Sequence, residues 1–283
     1  MYELNFKKIL LARLSAAFGL NIVLKYIRKL FLGQHVRVIN YHDLNQSMLN
    51  GFEKQLRFYQ KNYSNVDRSV FNDLIEGTWN SDKPGLIITF DDGLRSHFEY
   101  VLPLLEKYKF TGWFFVPVQF VDTEDSSQIA FAESHNISIC EHNFNDQRRA
   151  MTWDELRQII NRGHEVGSHT LNHTRLGSNI EEDELVKEIF HSKSRLEEEL
   201  KQVVDVFCWV GGEEFSYSKS AAKMIRQANY RLSFMTNNLP FRFKDNPLQI
   251  QRTNIEAWYS LQLVKFQLNG ILDLIYSPKR HRV

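Results

Sequence analysis

Residues 84–93 read Pro84-Gly85-Leu86-Ile87-Ile88-Thr89-Phe90-Asp91-Asp92-Gly93. Leu86–Phe90 is a short apolar run between turn residues, the pattern of a strand buried on both faces. Two carboxylates follow it at once. Adjacent carboxylates repel each other, and after a buried strand they must be partly desolvated, a cost that a divalent cation relieves. Neighbouring residues on extended backbone point in different directions. One carboxylate can therefore hold a metal while the other faces a reaction. The plainer alternative is a solvated Asp-Gly turn.

Outward from this strand, short apolar runs alternate with helical patterns. Strands are expected at Val36–Tyr41, Gly112–Val118, Glu165–Ser168, Val203–Trp209 and Arg231–Thr236. Helices are expected at Phe52–Tyr63, Val101–Tyr108, Trp153–Asn161, Glu181–Leu200 and Ser220–Asn229. Thr152 and Glu155 supply a capping box for the helix that starts at Trp153. Residues 122–150 are polar and read as an irregular excursion. Alternation of this kind predicts an α/β fold with a parallel sheet covered by helices, either open or closed into a barrel.

In such folds reactive groups gather at the carboxyl ends of strands. Here Leu86–Phe90 runs into Asp91-Asp92, Val36–Tyr41 into His42, Glu165–Ser168 into His169, and Val203–Trp209 into Val210-Gly211-Gly212. His173 follows His169 by four residues. Two imidazoles at that spacing meet one ion if the segment is helical or turned. With ten histidines in the chain, a chance pair is the competing reading. An aspartate and two histidines make a three-ligand set that leaves a position for water.

Composition narrows the function classes. At 43% hydrophobic and 24% charged residues, the chain is globular. The formal charge of +1 is unevenly spread. Residues 1–37 carry +6 and residues 275–283 carry +3, which leaves −8 for the middle. An acidic body argues against a nucleic-acid binder. Cys140 and Cys208 are too few for a disulfide scaffold or a structural zinc cluster, and suit a reducing compartment. Arg13 interrupts the apolar N-terminus, so no signal peptide is expected. Leu20, Val23, Leu24, Ile27, Leu30 and Phe31 fall on one helical face, with Asn21, Lys25, Arg28 and Lys29 opposite. That basic amphipathic segment either packs on the body or lies on an anionic membrane surface. The expected location is the cytoplasm, and the second reading adds a peripheral contact of residues 1–32 with the inner membrane surface.

The combination of Thr89-Phe90-Asp91-Asp92-Gly93 with His169-Thr-Leu-Asn-His173 resembles the polysaccharide deacetylase family, the NodB-homology or carbohydrate esterase family four group. Ile39-Asn-Tyr-His42, Phe52-Glu-Lys-Gln-Leu56, Trp113-Phe-Phe-Val116, Met151-Thr-Trp153 and Gly163-His-Glu-Val-Gly-Ser-His169 extend the resemblance over about residues 36–258. It implies a distorted (β/α) barrel with fewer than the eight strands of the standard barrel. It implies a carbohydrate N-deacetylase, acting on an acetylated amino sugar in a polysaccharide, glycolipid or lipid-linked precursor. By position, Asp91 is similar to the general base, and Asp92, His169 and His173 to the ligands of a divalent ion, usually zinc. His42 is similar to the general acid in the branch that supplies it from an N-terminal Tyr-His. The loop at Gly211 matches the place of the oxyanion-holding backbone N–H.

The chain departs from the family at Val210 and Gly211, where the pattern has Pro and an aromatic residue. Trp209 is a candidate stacking face for a sugar, with core packing as the alternative. The arginine that often orients the base is missing from this loop. Arg252, after Leu248–Gln251, is a candidate replacement or substrate contact, against the commoner reading of a surface arginine. The excursion at 122–150, with Glu133, His135, Glu141 and His142, reads as a substrate-side loop, with a second metal site there as an outside reading. The expected organisation is a basic helical segment at 1–35, a barrel at 36–260 and a C-terminal extension with a basic tail at 261–283. A deformylase of a lipid-linked amino sugar, a catalytically silent sugar-binding module and a nucleotide-sugar transferase are the competing functions.

Overall fold

The computed structural model describes residues 9, 10, 13, 33–212 and 214–275. The amphipathic pattern at residues 20–31 and the basic tail at 279–282 lie outside them. Nine strands occur among the described residues: β1 His35–Tyr41, β2 Ser64–Asn65, β3 Gly85–Phe90, β4 Gly112–Val116, β5 Glu165–Ser168, β6 Val206–Cys208, β7 Leu232–Met235, β8 Phe241–Arg242 and β9 Ile250–Asn254. Seven of them close a parallel barrel in the order β1, β3, β4, β5, β6, β7, β9 and back to β1. This is the distorted barrel with fewer than eight strands. β2 pairs in parallel with the start of β3, and β8 pairs antiparallel with the start of β1. Both lengthen the sheet at its amino-terminal end, below the levels at which β4 and β9 join their neighbours.

Side chains alternate along each strand. Val36 and Val38 of β1, Ile87 of β3, Trp113 and Phe115 of β4 and Phe234 of β7 share one buried cluster. Ile39, Tyr41, Ile88, Phe90, Phe114 and Val116 point the other way, under the helices. The helix Leu49–Asn62 buries Phe52, Leu56 and Tyr59 there. Local sequence explains where helices begin and end. The Asp67 carboxylate accepts from the Val70 N–H at 2.9 Å, and Gly77 closes that helix at φ 78°, a left-handed conformation that favours glycine. The capping box at Thr152 and Glu155 forms as the sequence predicts.

Three expectations need correction. The strand expected at Val203–Trp209 is only Val206–Cys208, because Lys201 closes the preceding helix in a left-handed turn and Val203 is left exposed. The helix expected at Glu181–Leu200 runs from Glu182 with a π-turn at Lys187–His191. The excursion at 122–150 contains the helix Gln128–Ser134, and Ala132, Ile137 and Ala150 pack with Leu94 and Phe120 in a small core of their own. After β9, the helices Leu261–Leu268 and Ile271–Ile275 lie on the barrel. Val264 and Leu268 join the main core, and the buried Arg37 guanidinium pairs with Asp273.

Candidate active site

Alternation along β3 and β9 builds the floor of the site. Thr89 and Arg252 meet inside the barrel, where the Arg252 Nη1 donates to Thr89 Oγ1 at 3.0 Å. One pleat further along β3, Asp91 takes a two-pronged ion pair from the same guanidinium, at 2.6 and 2.8 Å. Arg252 is 1% exposed and lies within β9. It is therefore neither a surface arginine nor an open substrate contact, and both of those readings are corrected. Burial works to raise the Asp91 pKa, but Arg252, His169 and His42 outweigh it and hold the carboxyl below its usual range. Asp91 stays ionised and fixed in orientation.

Asp92 turns away because its backbone is left-handed, at φ 77°, and Gly93 continues at φ 62°. This bend sends the second carboxylate toward the loop after β5. Asp92 Oδ1 lies 3.1 Å from His173 Nε2 and 3.6 Å from His169 Nε2. The ligand atoms of Asp92, His169 and His173 all lie within 4.8 Å of one another. Each imidazole is oriented by its other nitrogen. His169 Nδ1 lies 3.0 Å from the Cys208 carbonyl, and His173 Nδ1 lies 2.7 Å from the His135 carbonyl. A carbonyl can only accept, so both Nδ1 atoms carry the proton. In the neutral rings each Nε2 lone pair then faces Asp92, which is how metal-binding histidines are presented.

The electrostatics match that donor set. Burial lowers the His169 pKa to about 4, so this ring is neutral at pH 7. Burial also opposes charge on His173, but Asp92 overcomes it and raises the pKa. Asp92 is buried too, and His173 beside it holds its carboxyl well below the usual range. Asp92 thus favours positive charge beside it. One divalent ion would balance the same charge and satisfy both rings.

On the opposite side, His42 follows β1. Its Nδ1 lies 2.9 Å from Glu256 Oε1, just beyond β9. Burial would lower its pKa, yet Glu256, with help from Asp92 and Asp91, raises it to about 9. His42 is therefore an imidazolium at neutral pH. The loop that presents Glu256 is held by Gln55, whose buried Nε2 donates to the carbonyls of Glu256, Ala257 and Tyr259 at 3.0, 3.2 and 3.0 Å. The Gln55 Oε1 in turn accepts from the Tyr41 hydroxyl at 2.6 Å.

The remaining candidates separate. Gly211 lies on the loop after β6 with φ 82° and an accepting carbonyl that faces the Tyr217 hydroxyl. Trp209 is 1% exposed, packs edge-on to Phe207 and Tyr217, and donates its indole N–H to Ser233 Oγ at 2.7 Å. It is core, and the reading of Trp209 as a sugar-stacking face is corrected. In the excursion, His135 contributes only its backbone carbonyl to the site, and His142 Nε2 bonds to the buried Asp43 at 2.7 Å. Among the described residues no metal-ligand group forms around Glu133, His135, Glu141 and His142.

Glu256, Gln55 and Asp43 were not singled out from the sequence. Glu256 had a signal, since it lies two residues past the end of β9, where strand-end chemistry is expected.

The comparisons agree with this arrangement. The polysaccharide deacetylase profile matches residues 79–233, more than half of the chain. The chain belongs to the polysaccharide deacetylase family. Membership makes it a carbohydrate deacetylase, a hydrolase. Among proteins with curated functions, none matches the sequence. Solved structures do match in fold. The de-N-acetylase of Aggregatibacter actinomycetemcomitans aligns with a TM-score of 0.65 at 16% identity, over 83% of this chain and 100% of that one. The Streptococcus pyogenes deacetylase PplD aligns at 0.64 and 17% identity, over 81% and 96%. IcaB from Ammonifex degensii aligns at 0.60 and 17% identity, over 88% and 98%. At these identities the likeness is one of fold. No helix among the described residues is long and apolar enough to cross a membrane.

Proposed function

We propose that this deacetylase removes the N-acetyl group from an amino sugar within a polysaccharide or a lipid-linked glycan precursor, with a divalent ion, zinc first, held by Asp92, His169 and His173. One observation carries the reading: a fixed carboxylate, a protonated imidazole and a three-donor set converge at the carboxyl end of one barrel. The bound ion supplies Lewis acidity toward water and the acetyl carbonyl. Asp91, ionised and clamped by Arg252, accepts the proton of the attacking water. His42, protonated beside Glu256, delivers a proton to the departing sugar nitrogen, which is otherwise a poor leaving group. A backbone N–H of the loop at Gly211 is assigned to the developing oxyanion, a contribution of about 3 kcal/mol for one such donor. Trp209 has no part in sugar contact. The basic segment at residues 1–32 is assigned to an anionic membrane surface on the cytoplasmic side, on its charge and apolar periodicity.

The test is metal analysis of the purified protein, followed by amine release from acetylated and formylated glycans and lipid-linked sugars. Turnover of acetyl substrates that is lost on chelation and restored by one equivalent of metal is expected. A metal-free protein with undiminished turnover would overturn the metal assignment. Turnover of formyl substrates alone would move the reading to a deformylase.

A further inference from the structure

The segment that carries both histidines has an unusual backbone. Thr170 and His173 are both left-handed, at φ 69° and 58°. Non-glycine residues adopt that region at a cost, and they hold it only where surrounding contacts dictate it. The loop's carbonyls at Thr170 and Leu171 accept from the N–H groups of Val118 and Gln119. Its N–H groups at Leu171 and Asn172 point the other way, in succession, into a concavity that favours an anion. That anion is Glu188. Its Oε2 accepts from the Leu171 and Asn172 N–H groups at 2.9 Å each, and its Oε1 accepts from Asn172 Nδ2 at 2.8 Å.

Glu188 is fully buried and lies in the π-turn at Lys187–His191. Such turns are rare and tend to mark functional positions. A second link runs beside it. Ser192 Oγ donates to the Glu188 carbonyl at 2.7 Å and lies 2.9 Å from Ser168 Oγ, which accepts from the Thr170 N–H. Glu188 touches neither Asp91 nor His42, and its carboxylate has no role in the proton transfers. A buried carboxylate satisfied by main-chain donors is costly to leave unmatched. Its three bonds all go to Leu171 and Asn172, within the three-residue stretch that separates His169 from His173.

We infer that Glu188 is a positioning residue for the metal site: it fixes the left-handed loop so that the two imidazoles are preset around Asp92. The inference rests on the reading of Asp92, His169 and His173 as metal ligands. Zinc and cobalt titrations of the metal-free full chain separate the two. The variants are Glu188→Gln, which keeps the size but loses one acceptor, Glu188→Ala, and the exchange Glu188→Gln with Asn172→Asp. In the exchange the new amide donates to the new carboxylate, and the remaining amide oxygen stays available to the two N–H groups. Outer-shell partners of metal ligands typically contribute 10- to 100-fold in affinity. A metal Kd weakened at least tenfold by Glu188→Gln is expected, with the cooperative melt of the metal-free protein retained, the visible spectrum of the cobalt form altered, and affinity recovered to within about threefold by the exchange. Should Glu188→Ala fail to fold, Glu188→Gln and the exchange carry the test. If the wild type binds metal and folded Glu188→Gln binds it equally well, or if the exchange recovers nothing, the inference is overturned. If the wild type itself binds no metal, the metal reading has failed instead.

Discussion

The charge on His42 can be tested by removing Glu256's and nothing else. Glu256→Gln keeps the chain length, and its amide oxygen still accepts from Nδ1, so the ring should stay in place. What disappears is a negative charge 2.9 Å from the imidazole. In the native site the pKa stands at about 9 against an ordinary value of 6.5, a difference of about 3 kcal/mol in favour of the imidazolium. His42 is 20% exposed, so solvent screens only part of the interaction. At an effective dielectric of about 20, unit charges about 4 Å apart interact by roughly 4 kcal/mol, enough for Glu256 to account for the effect. Burial opposes the charge and remains in the variant, while Asp91 and Asp92 continue to favour it. The His42 pKa should therefore fall by at least about one unit. The general acid must be protonated, so the alkaline limb of kcat/KM for amine release should move down by the same amount. Stability follows the same sign: a raised folded-state pKa favours folding below pH 6.5, and that contribution fades as pH passes about 9. The assay is a pH–rate profile of amine release beside an NMR titration of the His42 ring. An unshifted alkaline limb in Glu256→Gln, or a native ring already neutral at pH 7.5, would refute the reasoning.

Three further outcomes are expected. Asp91→Asn should cut amine release by about 10²- to 10⁴-fold, the usual worth of a general base, while calorimetry finds metal binding intact; retained turnover would remove Asp91 from its role. Arg252→Met leaves a buried carboxylate without its partner, a loss of about 3–5 kcal/mol at pH 7. Because the Asp91 pKa is lowered in the folded protein, that contribution exists above the ordinary carboxylate pKa and is lost as pH falls. Urea melts of native and variant protein should accordingly converge as the pH falls below the ordinary carboxylate range, and a gap independent of pH would assign Arg252 to packing alone. Reversal of Lys25, Arg28 and Lys29 to Glu should weaken sedimentation with anionic vesicles without changing turnover of a soluble substrate; unchanged sedimentation would remove the membrane assignment.

The strand ends were legible because strand-period runs stop abruptly at charged or imidazole residues, and the fold puts those stops on one face. Periodicity alone left the parallel sheet open or closed, since the same strands read identically either way; the motif resemblance carried the barrel, and the structure closes it. Arg252 was singled out as the replacement for the missing base-orienting arginine, and its ion pair with Asp91 fits that reading; composition, which favours arginine at the surface, pointed the wrong way. Trp209 erred in the opposite sense: its position next to the site suggested sugar contact, but its pleat faces Phe207's neighbours and Ser233. Glu188 could not have been read at all, because its partners lie 16 and 17 residues away and meet it only once helix and loop are packed.

Among the described residues, β5 and β6 pair in the barrel through a single register partner, Ser168 with Phe207. Elsewhere the barrel wall is laced by longer ladders. Just above this thin seam, the His169 ring donates across it to the Cys208 carbonyl. The same imidazole thus serves as a stitch in the wall and as a donor to the site. An ion held by His169 would bridge both edges of the seam, so local opening there would loosen its grip on the ion. Hydrogen exchange at the amides of residues 207–209, with and without added metal, would then read that coupling.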